Sequence, residues 1–106
     1  MSAISQFPTI NHFPNQQIEQ VLRESLEEVA SDTELLRPDR PAWEPLLDSL
    51  RVVSVVIRLE KLLDMKIPPD QVVQKGGYMS VDEAIRGITS KTHDLWINRQ
   101  QTRKRA

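Results

Sequence analysis

The chain has 106 residues, no cysteine, 39% hydrophobic and 27% charged residues, and a formal net charge of −1. That length fits one small domain with a single core, and the missing cysteine excludes a disulfide framework, a thiolate metal cluster and a cysteine nucleophile. The charge is divided unevenly: residues 1–50 carry nine acidic and three basic side chains, residues 51–106 six acidic and eleven basic, so the total predicts no nucleic-acid partner while local charge selects partners.

Residues 1–14 show no periodicity and contain Pro8 and Pro14, which predicts an extended lead-in. Its first residues, Met1 to Gln6, lack the basic and apolar regions of a signal peptide, and no run approaches the roughly eighteen apolar residues of a membrane span. The expected address is the cytoplasm, with no membrane partner. A first helix is predicted over about residues 15–30, where Ile18, Val21, Leu22, Ser25 or Leu26, and Val29 form an apolar stripe and Glu19, Arg23, Glu24, Glu27 and Glu28 take the other faces.

Ser31 to Leu47 carries Pro38, Pro41 and Pro45 and reads as a long connection, packed by Leu35, Leu36, Trp43, Leu46 and Leu47. The most apolar segment follows, from Leu50 to Leu63. Its valines suit a strand, but its uninterrupted length, the capping residues Asp48 and Ser49, and the spacing of Arg51, Ser54, Arg58 and Lys61 predict a helix. With so narrow a polar face it is expected to be the central, most buried one.

Met65 to Gly77 reads as a connector with one short helical turn near Asp70 to Gln74. A last helix starts at Ser80-Val81-Asp82-Glu83, a capping box, and buries Val81, Ala84, Ile85 and Ile88. Gly87 within it marks either a close helix contact or an early end; Leu95, Trp96 and Ile97 extend the pattern, and residues 98–106 form a polar, basic tail. The fold class is all-α: a small bundle of three main helices plus one short helix.

No catalytic constellation is evident. His12 and His93 are isolated, so no metal site is expected; a nucleophile elbow is absent, and Gly76-Gly77 lacks the Lys-Ser or Lys-Thr of a phosphate loop. One group stands out, Asp48-Ser49-Leu50, where the long loop meets the most hydrophobic helix. A serine at a helix start lies beside free amides and the positive end of the dipole, which suits a phosphate ester; the plain alternative is that Asp48 or Ser49 only caps the helix.

From Asp48 to Asp70 the chain resembles the acyl carrier protein family: Asp48-Ser49-Leu50, then an apolar helix reaching Leu59-Glu60, then Leu63-Asp64 and Ile67-Pro68. The segment Ser80-Val81-Asp82-Glu83-Ala84-Ile85 is similar to the start of that family's last helix, and the resemblance covers about residues 15–90. It implies an acyl-carrier-like domain over residues 15–97 in which Ser49 receives 4′-phosphopantetheine from coenzyme A. The step would use a Mg²⁺-dependent phosphopantetheinyl transferase, with cargo then carried as a thioester. It also implies a non-enzymatic, free-standing monomer served by an acyl- or aminoacyl-activating ligase and a downstream transferase or synthase. Asp48 and Leu50 would be read by these partners. In carriers that shelter their cargo, the matching positions are Val53, Val56, Leu59, Ile67 and Ile85, for which core packing is an equal alternative.

Two departures from the family pattern bear on partners. Fatty-acid carriers present an acidic central helix to basic clients, whereas here Arg51, Ser54, Arg58 and Lys61 make that face neutral to basic, so Arg51, Ser54 and Arg58 join the expected recognition residues. Pro45-Leu46-Leu47 stands where the family commonly has a glycine. Two other readings remain: an unmodified helical adaptor using Trp43, Trp96 and the basic face, and nucleic-acid binding through Arg99, Arg103, Lys104 and Arg105, which lack interleaved aromatics.

Overall fold

The computed structural model describes residues 12–105, with side chains through residue 100. Four helices follow one another: α1 (Asn15–Leu36), α2 (Ser49–Leu63), the single turn α3 (Pro69–Val72) and α4 (Val81–Arg105). The architecture is the expected all-α bundle of three long helices and one short one. Of the N-terminal lead-in, residues 1–11 lie outside the described residues; Phe13 packs against the core, its ring 4.5 Å from that of His93 and 5.6 Å from that of Trp96 on α4.

Helix α1 is longer than predicted. The buried series Ile18, Leu22, Ser25, Leu26, Ala30 and Thr33 keeps its helical spacing past residue 30. Pro38 restricts only the residue before it, so the helix runs on to Leu36, and Arg37 leaves with φ −135° while its amide still donates to the Thr33 carbonyl at 2.8 Å. Within the connection that follows, Leu47 is fully buried and Leu46 partly, yet Leu35, Leu36 and Trp43 are exposed at 79%, 66% and 77%. The expectation that all five pack the loop therefore holds for two. An Arg37–Glu44 ion pair at 2.9 Å spans the loop instead.

The hub is α1 rather than α2. Helix α1 packs on both α2 and α4, while α3 packs on α4. Helix α2 buries one face, Val52, Val55, Val56, Leu59 and Leu63, and leaves Leu50, Arg51, Ser54, Ile57, Arg58 and Lys61 in solvent. Valine and isoleucine content alone overstated its burial, because Ile57 and Val53 fall outside the buried stripe.

Helix α2 ends with Asp64 in the left-handed region (φ 53°), where Met65 NH donates to the Glu60 carbonyl at 3.3 Å. The Glu60 carboxylate accepts from Ile67 NH at 2.8 Å and so turns the chain toward α3. The short helix starts at Pro69, not Asp70, since Pro at the first position has its φ already set and no amide to satisfy. The capping box of α4 forms: Glu83 NH donates to Ser80 Oγ at 3.1 Å, and Met79 NH, one residue ahead of the expected donor, donates to Glu83 Oε1 at 2.7 Å. Residues 98–105 continue α4 as helix, and Arg99 reaches the Asp64 carbonyl at 3.1 Å.

Candidate functional site

The segment carrying Ser49 is held by a clasp far away in sequence. Leu47 and Tyr78 exchange backbone hydrogen bonds, Leu47 NH to Tyr78 O at 3.0 Å and Tyr78 NH to Leu47 O at 2.9 Å. Gly77 makes this approach possible: its φ of +85° is in the left-handed region, and a Cβ there would strike the Leu47 carbonyl and stand 3.2 Å from the Ser49 amide nitrogen. Tyr78 is buried, accepting from Gln74 NH at 2.9 Å and donating to Val72 O at 3.3 Å, so one side chain ties the clasp to the end of α3. Gly87 on α4 faces the Tyr78 ring, where a Cβ would sit 3.3 Å from the nearest ring carbon. The close neighbour is thus a side chain from the loop before α4 rather than another helix, and α4 continues past it instead of ending early.

Burial raises the Tyr78 pKa above its ordinary value of 10.0; the Gln74 amide opposes this and the nearby Glu83 charge adds to it. A raised folded-state value means that the stabilisation is complete below pH 10.0 and is lost as pH rises through the folded value. Thermal melts of the wild type are therefore expected to fall more steeply above that pH than melts of Tyr78→Phe, which starts lower but lacks this titration. Parallel curves would contradict it.

At the start of α2, Asp48 is extended (φ −67°, ψ 136°) and its Oδ1 accepts from Leu50 NH at 2.8 Å, while its carbonyl accepts from Arg51 and Val52 NH, both at 3.0 Å. Asp48 is thus the cap. Ser49 is the first helical residue, half-buried, and its hydroxyl makes no hydrogen bond among the described residues. Beside it opens a groove of about 700 Å³ between α2, α3 and α4, lined by Ser49, Leu50, Val53, Pro69, Asp70, Val73, Gln74, Lys75 and Lys91.

The other sequence-derived positions fall as follows. Leu50 is 81% exposed. Arg51 borders a cleft of about 220 Å³ with Thr33, Arg37, Glu44, Pro45 and Asp48. Ser54 donates its hydroxyl to the Arg51 carbonyl at 2.9 Å, and the exposed Arg58 donates from Nη1 to the buried Ser25 Oγ at 2.8 Å. Of the five apolar positions, Val53 alone borders the Ser49 groove; Val56, Leu59, Ile67 and Ile85 are buried in the core, and Ile85 also borders the separate α1–α4 cleft near Arg23 and Asp82.

Sequence reasoning missed Tyr78 and the groove walls Pro69, Val73, Lys75 and Lys91. Only the adjacent glycines, Gly76 and Gly77, signalled that the backbone there does something unusual. The side chains of Arg103, Lys104 and Arg105 lie outside the described residues.

Among the described residues no three histidine or acidic side chains converge as a metal site, and no helix is long and apolar enough to cross a membrane. Comparison with models of known families, with curated proteins and with solved structures finds no match for this chain.

Proposed function

We propose that the chain is a carrier protein that holds an acyl or aminoacyl group as a thioester on a 4′-phosphopantetheine arm attached to Ser49, and presents it to partner enzymes. The observation that carries this reading is the state of Ser49. Asp48 does the capping, so the Ser49 hydroxyl has no partner among the described residues at the helix start, half-exposed on a groove of mixed apolar and polar lining. A loaded serine there places its phosphodiester at the positive end of α2. In loading, a new bond forms between Ser49 Oγ and the coenzyme A phosphorus nearest the pantetheine, the pyrophosphate bond breaks, and adenosine 3′,5′-bisphosphate leaves. The transferase takes up the serine proton.

The arm supplies the thiol that the sequence lacks. Leu50, Val53, Pro69 and Val73 offer its apolar portion a resting surface. The chemistry of transfer belongs to the activating ligase and the downstream transferase or synthase, in keeping with a protein whose own residues serve only attachment and presentation. Incubation with coenzyme A, Mg²⁺ and a broad-specificity phosphopantetheinyl transferase is expected to add one phosphopantetheine to the wild type and none to Ser49→Ala. Failure with several transferases would sink the reading.

A second reading, an unmodified adaptor, draws on Leu35, Leu36 and Trp43, three large apolar side chains left exposed within nine positions at the end of α1 and the loop beyond it. Retained partner binding by Ser49→Ala and its loss in Trp43→Ala would favour it.

A further inference from the structure

We infer that the exposed face of α2 docks into an acidic, apolar-centred groove on a partner protein. The face is built from six residues at helical spacing: Leu50, Arg51, Ser54, Ile57, Arg58 and Lys61. Two of them are apolar knobs, Leu50 at 81% and Ile57 at 48% exposure. Seven positions apart, they stand about 10 Å from each other along the helix axis, the spacing with which an amphipathic helix seats anchors in a groove.

The face itself carries no carboxylate; acidic groups stand only at its ends, where Glu44 and Asp48 share a cleft with Arg51 and Asp64 shares one with Lys61. Helix α2 contains a single acidic residue, Glu60, and its carboxylate turns away to accept from Ile67 NH at 2.8 Å. Among the described residues Arg51, Arg58 and Lys61 join no ion pair, whereas Arg23 and Arg37 elsewhere do. Among the described residues Arg58 donates to a neutral group, the Ser25 hydroxyl. Three cations flanking two exposed apolar side chains, with no carboxylate between them, are complementary to carboxylates surrounding two apolar sockets. A basic client surface would be repelled. Because Arg58 also braces α1, the residues free to be altered without touching the fold are Arg51 and Lys61.

The inference stands whether or not Ser49 is loaded, so the test uses full-length Ser49→Ala protein. A photo-cross-linking amino acid replaces Ile57, the protein is irradiated in extract of the cells that express it, and the cross-linked peptides are sequenced. The expected result is attachment to a peptide rich in Asp and Glu, with yield falling about tenfold when Arg51→Glu and Lys61→Glu are added and falling likewise at high salt. Circular dichroism and melting temperature should match the parent. Cross-links to neutral or basic peptides, a yield indifferent to charge reversal, or no cross-link would overturn the inference. So would sedimentation with phosphatidylglycerol vesicles that charge reversal abolishes, which would assign the face to a lipid surface.

Discussion

Gly77→Ala is expected to be the most damaging small substitution in the chain, lowering stability by at least about 3 kcal/mol and displacing the start of α2. Two effects add. An alanine at φ +85° is strained by itself, and its Cβ would occupy the space of the Leu47 carbonyl oxygen that accepts from Tyr78. The neighbouring Gly76→Ala is the internal control: at φ +89° it carries the same strain, but nothing lies within 4 Å of its Cβ, so its cost should stay near 1–2 kcal/mol. Chemical denaturation of the two variants separates backbone strain from the clasp. Equal losses would mean that the Leu47–Tyr78 pairing does not hold the Ser49 segment. Gly77→Ala should also slow loading of Ser49 under conditions where the protein is still folded, since the Ser49 amide lies 3.2 Å from the added carbon.

The second large effect concerns the hub. Leu22 on α1 is fully buried in the helix that touches both α2 and α4. Leu22→Ala removes apolar area and leaves a cavity among three helices, which should lower stability by about 3–4 kcal/mol. In contrast, Val53→Ala on the half-buried groove wall should lower it by less than about 1 kcal/mol. Equilibrium unfolding in urea, with unchanged denaturant dependence, checks both values. A larger loss for Val53→Ala would return α2 to the centre of the fold.

Several features of this fold were legible from local chemistry. Proline positions divided the chain into its helices, Asp48 and the Ser80–Glu83 box marked two helix starts, and Gly87 announced a close contact. What could not be read was non-local. Helix α1 overran its predicted end because Ala30 and Thr33 are buried and continue its buried stripe, a matter of tertiary packing that propensity does not encode. The clasp between Leu47 and Tyr78 joins residues on opposite sides of α2, and neither residue has a local pattern that names the other.

The same holds for the site. Asp48 and Ser49 both carry capping side chains, and the sequence left open which of them caps; the 2.8 Å bond from Leu50 NH to Asp48 assigns the cap to Asp48, and the Ser49 hydroxyl has no partner among the described residues. The sequence places Arg58 among the expected recognition residues of the basic face, and its contact with Ser25 adds a bracing role. Of the apolar positions considered for sheltering cargo, four serve the core, and the groove at Ser49 is bordered instead by Val53, by the α3 residues Pro69 and Asp70 and by Val73 just beyond them. On the proposed reading, such a groove suits a cargo that stays largely outside the helices.

On the proposed reading, Ser49 bears the arm in the living cell. The most direct test is the mass of the Ser49-containing peptide from protein purified without added coenzyme A or transferase from the cells that express it. A phosphopantetheine increment is expected on that peptide, located to Ser49 by fragmentation and released as the phosphorylated arm by base. A population carrying only unmodified Ser49, from growing cells and at every stage sampled, would contradict it.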